Sequence, residues 1–369
     1  MNHPLHAKAS PGMPKPAVLR RRRPLIDSLL VAMTLMPAVA ACSDSSGPEL
    51  PSVREVGVVL NSVDVSLTVF GVDSEQAPLT IGLAPDGSPV SMAVRGSLVA
   101  VPLGLVPAVA VVDLTTGIVT RTIALPEGSG ATGVAFLDDE RVMVANPGLG
   151  SVSIVNVVDG TVVTTIDVGV FPQGVIVHQG RAFVFNAELG ADFLPTGPGT
   201  ITVFDIASLA VIETIILSAE NPSGAAVGPD GRIYVVNAGR FFGNDGSVSV
   251  VDGSIPGEVE WHGGFGDFPG APAFGPEGDL YVPAFSFGVV IWRPGTGRFV
   301  RATDDAIEPE GVPSASGLGF DAAGRLYTLR PDCGGPSAIL RLASTFEVEA
   351  TIAVGICPIS VAFTEIPEE

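Results

Sequence analysis

The side chains able to do chemistry are few, and their spacing assembles no known reaction centre. Four histidines and three cysteines occur in 369 residues. No Gly-x-Ser-x-Gly nucleophile elbow, phosphate-binding glycine loop or paired zinc motif is present. Beyond residue 41 the only histidines are His178 and His262, far apart in sequence. Asn146, Asn186 and Asn237 each close an apolar run and offer oxygen ligands that calcium or magnesium would accept. Hard cations also want carboxylates, which these runs lack. Asparagine at a strand end equally caps the strand by bonding backbone. No lysine follows Lys15, so Schiff-base chemistry is excluded downstream of it.

Composition sets further bounds. The chain is 46% apolar and rich in glycine and proline, with no heptad or long amphipathic helix pattern. Many short strands joined by tight turns suit that balance. Residues 42–369 keep 13 of the 19 basic groups, all arginine, and 38 of the 39 acidic ones, a net charge of −25. So acidic a surface repels nucleic acid and anionic lipid, and phosphate-neutralising binding is excluded.

The N-terminus reads as a leader. Arg20 to Arg23 form a basic region, Leu25 to Ala38 a short apolar one, and small residues then precede Cys42. Val39-Ala40-Ala41-Cys42 resembles a bacterial lipoprotein lipobox, which implies cleavage after residue 41 and lipidation of Cys42. The apolar region, interrupted by Asp27 and Pro37, is short for a permanent span. Residues 42–52 read as a flexible tether. The resemblance implies an extracytoplasmic lipoprotein of the cell membrane or the outer membrane, periplasm-facing or at the cell surface; Ser43, not the acidic residue associated with inner-membrane retention, favours the outer membrane.

The elements that must position any site come from one recurring phrase, clearest at Gly228 to Gly253. A Pro-Asp-Gly turn is followed by a strand, Arg232–Asn237, a glycine-rich loop and a second strand, Ser247–Asp252. β-branched and aromatic residues bounded by Gly, Asn and Asp predict a half-buried antiparallel pair. The end of the third strand of each unit recurs at Val111-Val112-Asp113, Ile154-Val155-Asn156, Val203-Phe204-Asp205, Val250-Val251-Asp252, Ile291-Trp292-Arg293 and Leu340-Arg341-Leu342. That spacing is the period of four-stranded propeller blades. Six units are whole. Val56–Asn61, Ser66–Phe70 and Leu79–Leu83 supply three more strands, and Pro358 to Phe363 supplies one at the other end. Together they predict an all-β, seven-bladed β-propeller of four-stranded antiparallel blades over residues 53–369, closed by one blade split between both termini.

These residues carry a family resemblance. Tyr234-Val235-Val236-Asn237, with Val144-Ala145-Asn146, Val184-Phe185-Asn186 and Val59-Leu60-Asn61, resembles the Tyr-Val-Thr-Asn propeller repeat family. Gly228-Pro229-Asp230-Gly231-Arg232-Ile233-Tyr234 and Asp321-Ala322-Ala323-Gly324-Arg325-Leu326-Tyr327 resemble the NHL and gluconolactonase-like propellers. The likeness specifies a fold more than an activity. Gluconolactonase-like propellers hold a divalent cation in the channel with acidic and asparagine ligands, and streptogramin lyases use a channel-mouth histidine and a metal-binding glutamate. The strand-two ends expected here are Asn61, Pro102, Asn146, Asn186, Asn237, Pro283 and Arg330, with no glutamate among them. His178 and His262 fall outside the small-residue lead-ins where inner strands start, which places them as surface or packing residues.

Two features of the propeller's loop face complete the reading. Cys333 falls in a strand two–three loop and Cys357 in the next inter-blade connection, both on one face, so an oxidising compartment favours a Cys333–Cys357 disulfide. Phe193, Phe241, Phe242, Phe265, Phe268, Phe285 and Phe287 fall in loops on that same face over three neighbouring blades. Flanked by Arg240, Asn244 and Asp245, they predict an aromatic surface for a protein, peptide or glycan of the cell envelope. Two function classes follow: a lipid-anchored, non-enzymatic binding propeller, and a metal-dependent lactonase- or lyase-like enzyme with a channel site. The first is the preferred expectation, with no cofactor.

Overall fold

In the computed structural model, residues 52–368 are described. The leader 1–41, Cys42 and nearly all of the tether 42–52 lie outside the described residues. The described chain forms seven four-stranded antiparallel sheets, the blades of a β-propeller. Strand one of every blade contacts strand one of the next, and the last returns to the first, so the ring is closed. The third-strand phrases read from the sequence all fall in the third strands or at their ends.

Closure uses the split blade. Its inner strand is Pro358–Pro367, followed outward by Val53–Asn61, Ser66–Gly71 and Leu79–Gly82. Val53 pairs with Pro367 and Asn61 with Pro358, so the two ends of the chain are zipped along a whole strand. That pairing removes the open edges an incomplete ring would expose.

The alternating pattern predicted half-buried strands, and the structure corrects this for the central ones. Ile233–Asn237 and Ser247–Val251 are buried at every residue. Each blade is packed on both faces by its neighbours, so strands two and three meet apolar side chains on either side. One inter-blade cluster joins Tyr234, Val236 and Val250 to Leu280, Val282 and Trp292 of the following blade. Burying each such side chain contributes roughly 1.5–3 kcal/mol. Clear alternation along a long strand appears on outer strands such as Thr161–Asp167 and Val348–Val354. The Pro-Asp-Gly turn has its own fastening, for the Tyr234 hydroxyl donates to Asp230 Oδ2 at 2.9 Å. Burial, with that hydrogen bond, holds the Tyr234 phenol well above its usual titration range.

Small residues at the lead-ins let the inner strands converge. A Cβ on Gly174 would stand 2.6 Å from the Ser223 carbonyl of the next blade, so no side chain fits there.

The disulfide forms as expected. Cys333 lies in the loop between Leu326–Arg330 and Ser337–Leu342, and Cys357 just before Pro358–Pro367. The Cys357 carbonyl accepts from the Ser62 amide, and its own amide donates to Asp332 O. The bond therefore pins the last blade to the strand that closes the ring. Replacing both cysteines by serine should cost about 3 kcal/mol, from the 24-residue separation it spans. The melting midpoint should fall by roughly 5 °C or more. A midpoint unmoved by reductant, with both thiols shown to be free, would contradict that placement.

Candidate functional site

The polar groups around the axis are occupied in joining blades. Ser91 Oγ donates to Thr132 O at 2.7 Å, and Thr132 Oγ1 donates to Gln173 O at 3.3 Å. Gln173 Nε2 donates to Pro222 O at 3.1 Å, and Ser316 Oγ to Pro358 O at 2.5 Å. Each bond runs from one inner lead-in to the next. Neither histidine stands among them. His178 closes an inner strand with Nε2 2.9 Å from Gly231 O, and His262 lies on an outer strand, 3.1 Å from Glu260 and tilted against Trp292. Among the described residues, no three His, Cys, Asp or Glu groups are placed to hold a metal ion.

Asn146, Asn186 and Asn237 at the strand-two ends turn their amide nitrogens to side-chain hydroxyls and not to the backbone. Each was expected to bond backbone or to offer a metal ligand, yet each amide nitrogen reaches two hydroxyls of the adjacent strand. Asn146 Nδ2 donates to Ser151 and Ser153, Asn186 to Thr200 and Thr202, and Asn237 to Ser247 and Ser249, all at 2.9–3.3 Å. Asn61 does the same to Ser66 and Thr68. All four asparagines are fully buried, and their Oδ1 atoms have no hydrogen-bond partner. The clamp closes the root of the strand two–three loop whatever the length of that loop. In the split blade it spans only Ser62 to Val65. At Asn186 and Asn237 it holds the long loops 187–199 and 238–246.

Those two loops build the candidate site. Loop 187–199 folds as a small hairpin, with a Leu189–Pro195 bridge and the Phe193 amide donating to Gly190 O. Loop 238–246 wraps the Asp245 carboxylate, which accepts from the Arg240 amide at 2.9 Å. A Cβ on Gly239, where φ is +69°, would strike that carboxylate. Between the loops lies a groove of about 390 Å³. One wall is Phe193 against Phe171, edge to face at 5.8 Å, with Leu194 beside them. The other is Phe241, which meets Phe268 at 5.0 Å and Phe242 at 4.5 Å. Gln173 and Asn221 form the polar floor.

The phenylalanines here are held in costly backbone. Five phenylalanines among the described residues have left-handed φ; three of them, Phe171, Phe193 and Phe268, line this groove, and a fourth, Phe242, packs on Phe241 beside it. A bulky side chain in that region costs roughly 1–2 kcal/mol. Such strain concentrates where a surface must present particular side chains.

The structure redraws the expected face. Phe193, Phe241, Phe242 and Phe268 remain exposed, Phe242 at 83%. Phe265 and Phe287 do not belong to it, being 0% and 8% exposed in the core beside Trp292. Their loops turn inward and cap the space between two blades, where apolar burial outweighs exposure. Phe285 is exposed but does not line the groove. Arg240 is ion-paired, its Nε lying 3.4 Å from Glu220 and 3.3 Å from Asp245. Asn244 is an exposed left-handed turn residue. The sequence reading missed Phe171, Leu194, Gln173 and Asn221, although Phe171 directly precedes the Pro-x-Gly lead-in and Leu194 follows Phe193.

No protein-family model matches this sequence, and no curated protein does either. Solved structures do resemble it. Hydrazine synthase from Kuenenia stuttgartiensis aligns with a TM-score of 0.61 at 16% identity, over 81% of this chain and 99% of that one. A functionally unknown protein from Desulfotomaculum acetoxidans DSM 771 aligns with a TM-score of 0.61 at 16% identity, over 85% and 99%. At that identity the likeness is one of fold.

The clamps make a prediction that separates structure from metal binding. Asn237→Ala should lower stability by about 1–3 kcal/mol, by stranding the buried Ser247 and Ser249 hydroxyls, and Asn186→Ala by less, because the Thr200 hydroxyl keeps its bond to Glu188. Melting curves should show the same loss in calcium, magnesium or EDTA. A loss seen only with a divalent cation present would restore the metal-ligand reading.

Proposed function

We propose that this protein is an exported, lipid-anchored binding module of the cell envelope that takes its partner in the aromatic groove of its loop face. The observation that carries this reading is the gathering of strained, solvent-facing phenylalanines around one groove. A loop serving only to connect two strands gains nothing from exposed aromatic side chains in left-handed backbone. The partner is a protein, peptide or glycan, classes that aromatic anchors serve well. A rigid ring beneath mobile-length loops is also a general way to present a recognition surface.

The inner lead-ins give support from the other side. Their hydroxyls and amides bond the neighbouring blade, a role in cohesion. The disulfide agrees with export, because such bonds persist in oxidising compartments.

Surface positions on the loops can be changed with little cost to folding. Phe193→Ser with Phe241→Ser should keep the melting midpoint of the parent while abolishing partner binding. A photo-crosslinking residue placed at position 242 should trap a partner in envelope fractions, and one at exposed Ile118 on the rim should not. Equal trapping at both positions, or trapping untouched by the double serine change, would sink the reading.

A further inference from the structure

We infer that the occupant of the groove is a cationic, apolar stretch of polypeptide: a large hydrophobic side chain flanked by lysine or arginine. This inference rests on the groove being the binding surface, and adds the chemistry of what fills it.

The argument begins with the polar inventory. The amide donors of the floor are already spent. Asn221 Nδ2 donates to Gly239 O at 3.0 Å. Gln173 Nε2 donates to Asn221 Oδ1 at 2.7 Å as well as to Pro222 O. The one nearby guanidinium, Arg240, is held between Glu220 and Asp245. With Glu220 and Asp245 held by Arg240 and Glu188 accepting from Thr200, the acceptors left for an occupant are the Gln173 amide oxygen, with no bonded donor among the described residues, and the exposed Asp192 carboxylate. An occupant rich in N–H donors satisfies them, and one presenting further acceptors does not.

Charge points the same way. Four carboxylates, Glu188, Asp192, Glu220 and Asp245, stand on the two loops and the connection between them, against the single Arg240. Asp192 lines the groove itself and is exposed at the tip of its hairpin. Beyond the groove, the strong negative charge of the whole domain steers cations toward the surface. The complementary partner is positive.

The aromatic geometry favours side chains over sugar rings. The Phe241 pairs are T-shaped, at 82° with Phe242 and 65° with Phe268. Edge-to-face packing builds walls around a slot rather than one flat platform for a pyranose to lie on. An inserted aliphatic or aromatic side chain meets ring edges and faces together. A flanking ammonium or guanidinium is attracted to any ring face left open. A glycan would also look for donors, which the floor no longer has.

The probes are synthetic peptides titrated into the purified protein. The first is a fluorescent Lys-Phe-Lys-Leu-Lys peptide, the second its Gln-Phe-Gln-Leu-Gln counterpart, and the third a Lys-Gly-Lys-Gly-Lys peptide. A chitin oligosaccharide is the fourth. The first should bind at least about tenfold more tightly than either altered peptide at roughly 50 mM salt. Its advantage over the glutamine peptide should shrink toward about 500 mM salt, as screening shortens the reach of the rim charges. Phe193→Ser/Phe241→Ser should abolish binding, and Asp192→Asn should weaken it while flattening the salt dependence. Equal or tighter binding of the glutamine peptide or the oligosaccharide, still lost in the double serine variant, would overturn the cationic-peptide inference and leave the groove as a binding surface. Probe binding indifferent to Phe193 and Phe241 would overturn both.

Discussion

Everything in this molecule depends on neither face of a blade being allowed to meet water. Each sheet carries apolar side chains on both sides, and a side chain such as Trp292 or Tyr234 is buried only because another blade stands against it. A row of blades would leave two such faces bare, so the row must become a ring. The ring in turn requires that strand Val53–Asn61 find Pro358–Pro367 across nearly the whole sequence. Such a contact is slow to form and costly in chain entropy. The disulfide beside it restrains only its own 24-residue separation, holding the lead-in to the last strand against the preceding blade.

Polar groups then divide between two duties. Those at the axis and at the strand-two ends are used for cohesion: hydroxyl to carbonyl between blades, amide to hydroxyl across a loop root. The repeated asparagine clamp matters most for function, since it fixes where a loop leaves and re-enters the sheet without restricting what lies between. Loops 187–199 and 238–246 share this foundation with the four-residue loop of the split blade. Variation in length and aromatic content is therefore confined to one face, above a frame that need not change.

Much of this could be read from residue types and spacing, and the failures are physically instructive. Strand count, blade period, the split blade and the Cys333–Cys357 pair all follow from patterns that repeat, because a repeating fold imposes its geometry many times. A loop imposes its geometry once. Phe265 and Phe287 carry the same letter as Phe241 and Phe242, yet the first pair fills the gap between blades and the second faces solvent. Nothing local distinguishes them; the difference is which way each connection bends. The clamps were legible in principle, as the Asn146-to-Ser151 and Ser153 spacing reappears at Asn61 with Ser66 and Thr68. Their partners were missed because the expected bond was to backbone, and a residue's acceptors are chosen by the strand beside it.

The zipping of Val53 to Pro367 also fixes an orientation. Strand Val53–Asn61 runs from one face of the ring toward the loop face, and it begins at the far end. The first described residues therefore lie on the side opposite the aromatic groove. Both described ends of the chain meet there, the Glu368 amide donating to Ser52 O, so one face of the ring carries its seam and the other is left to the groove.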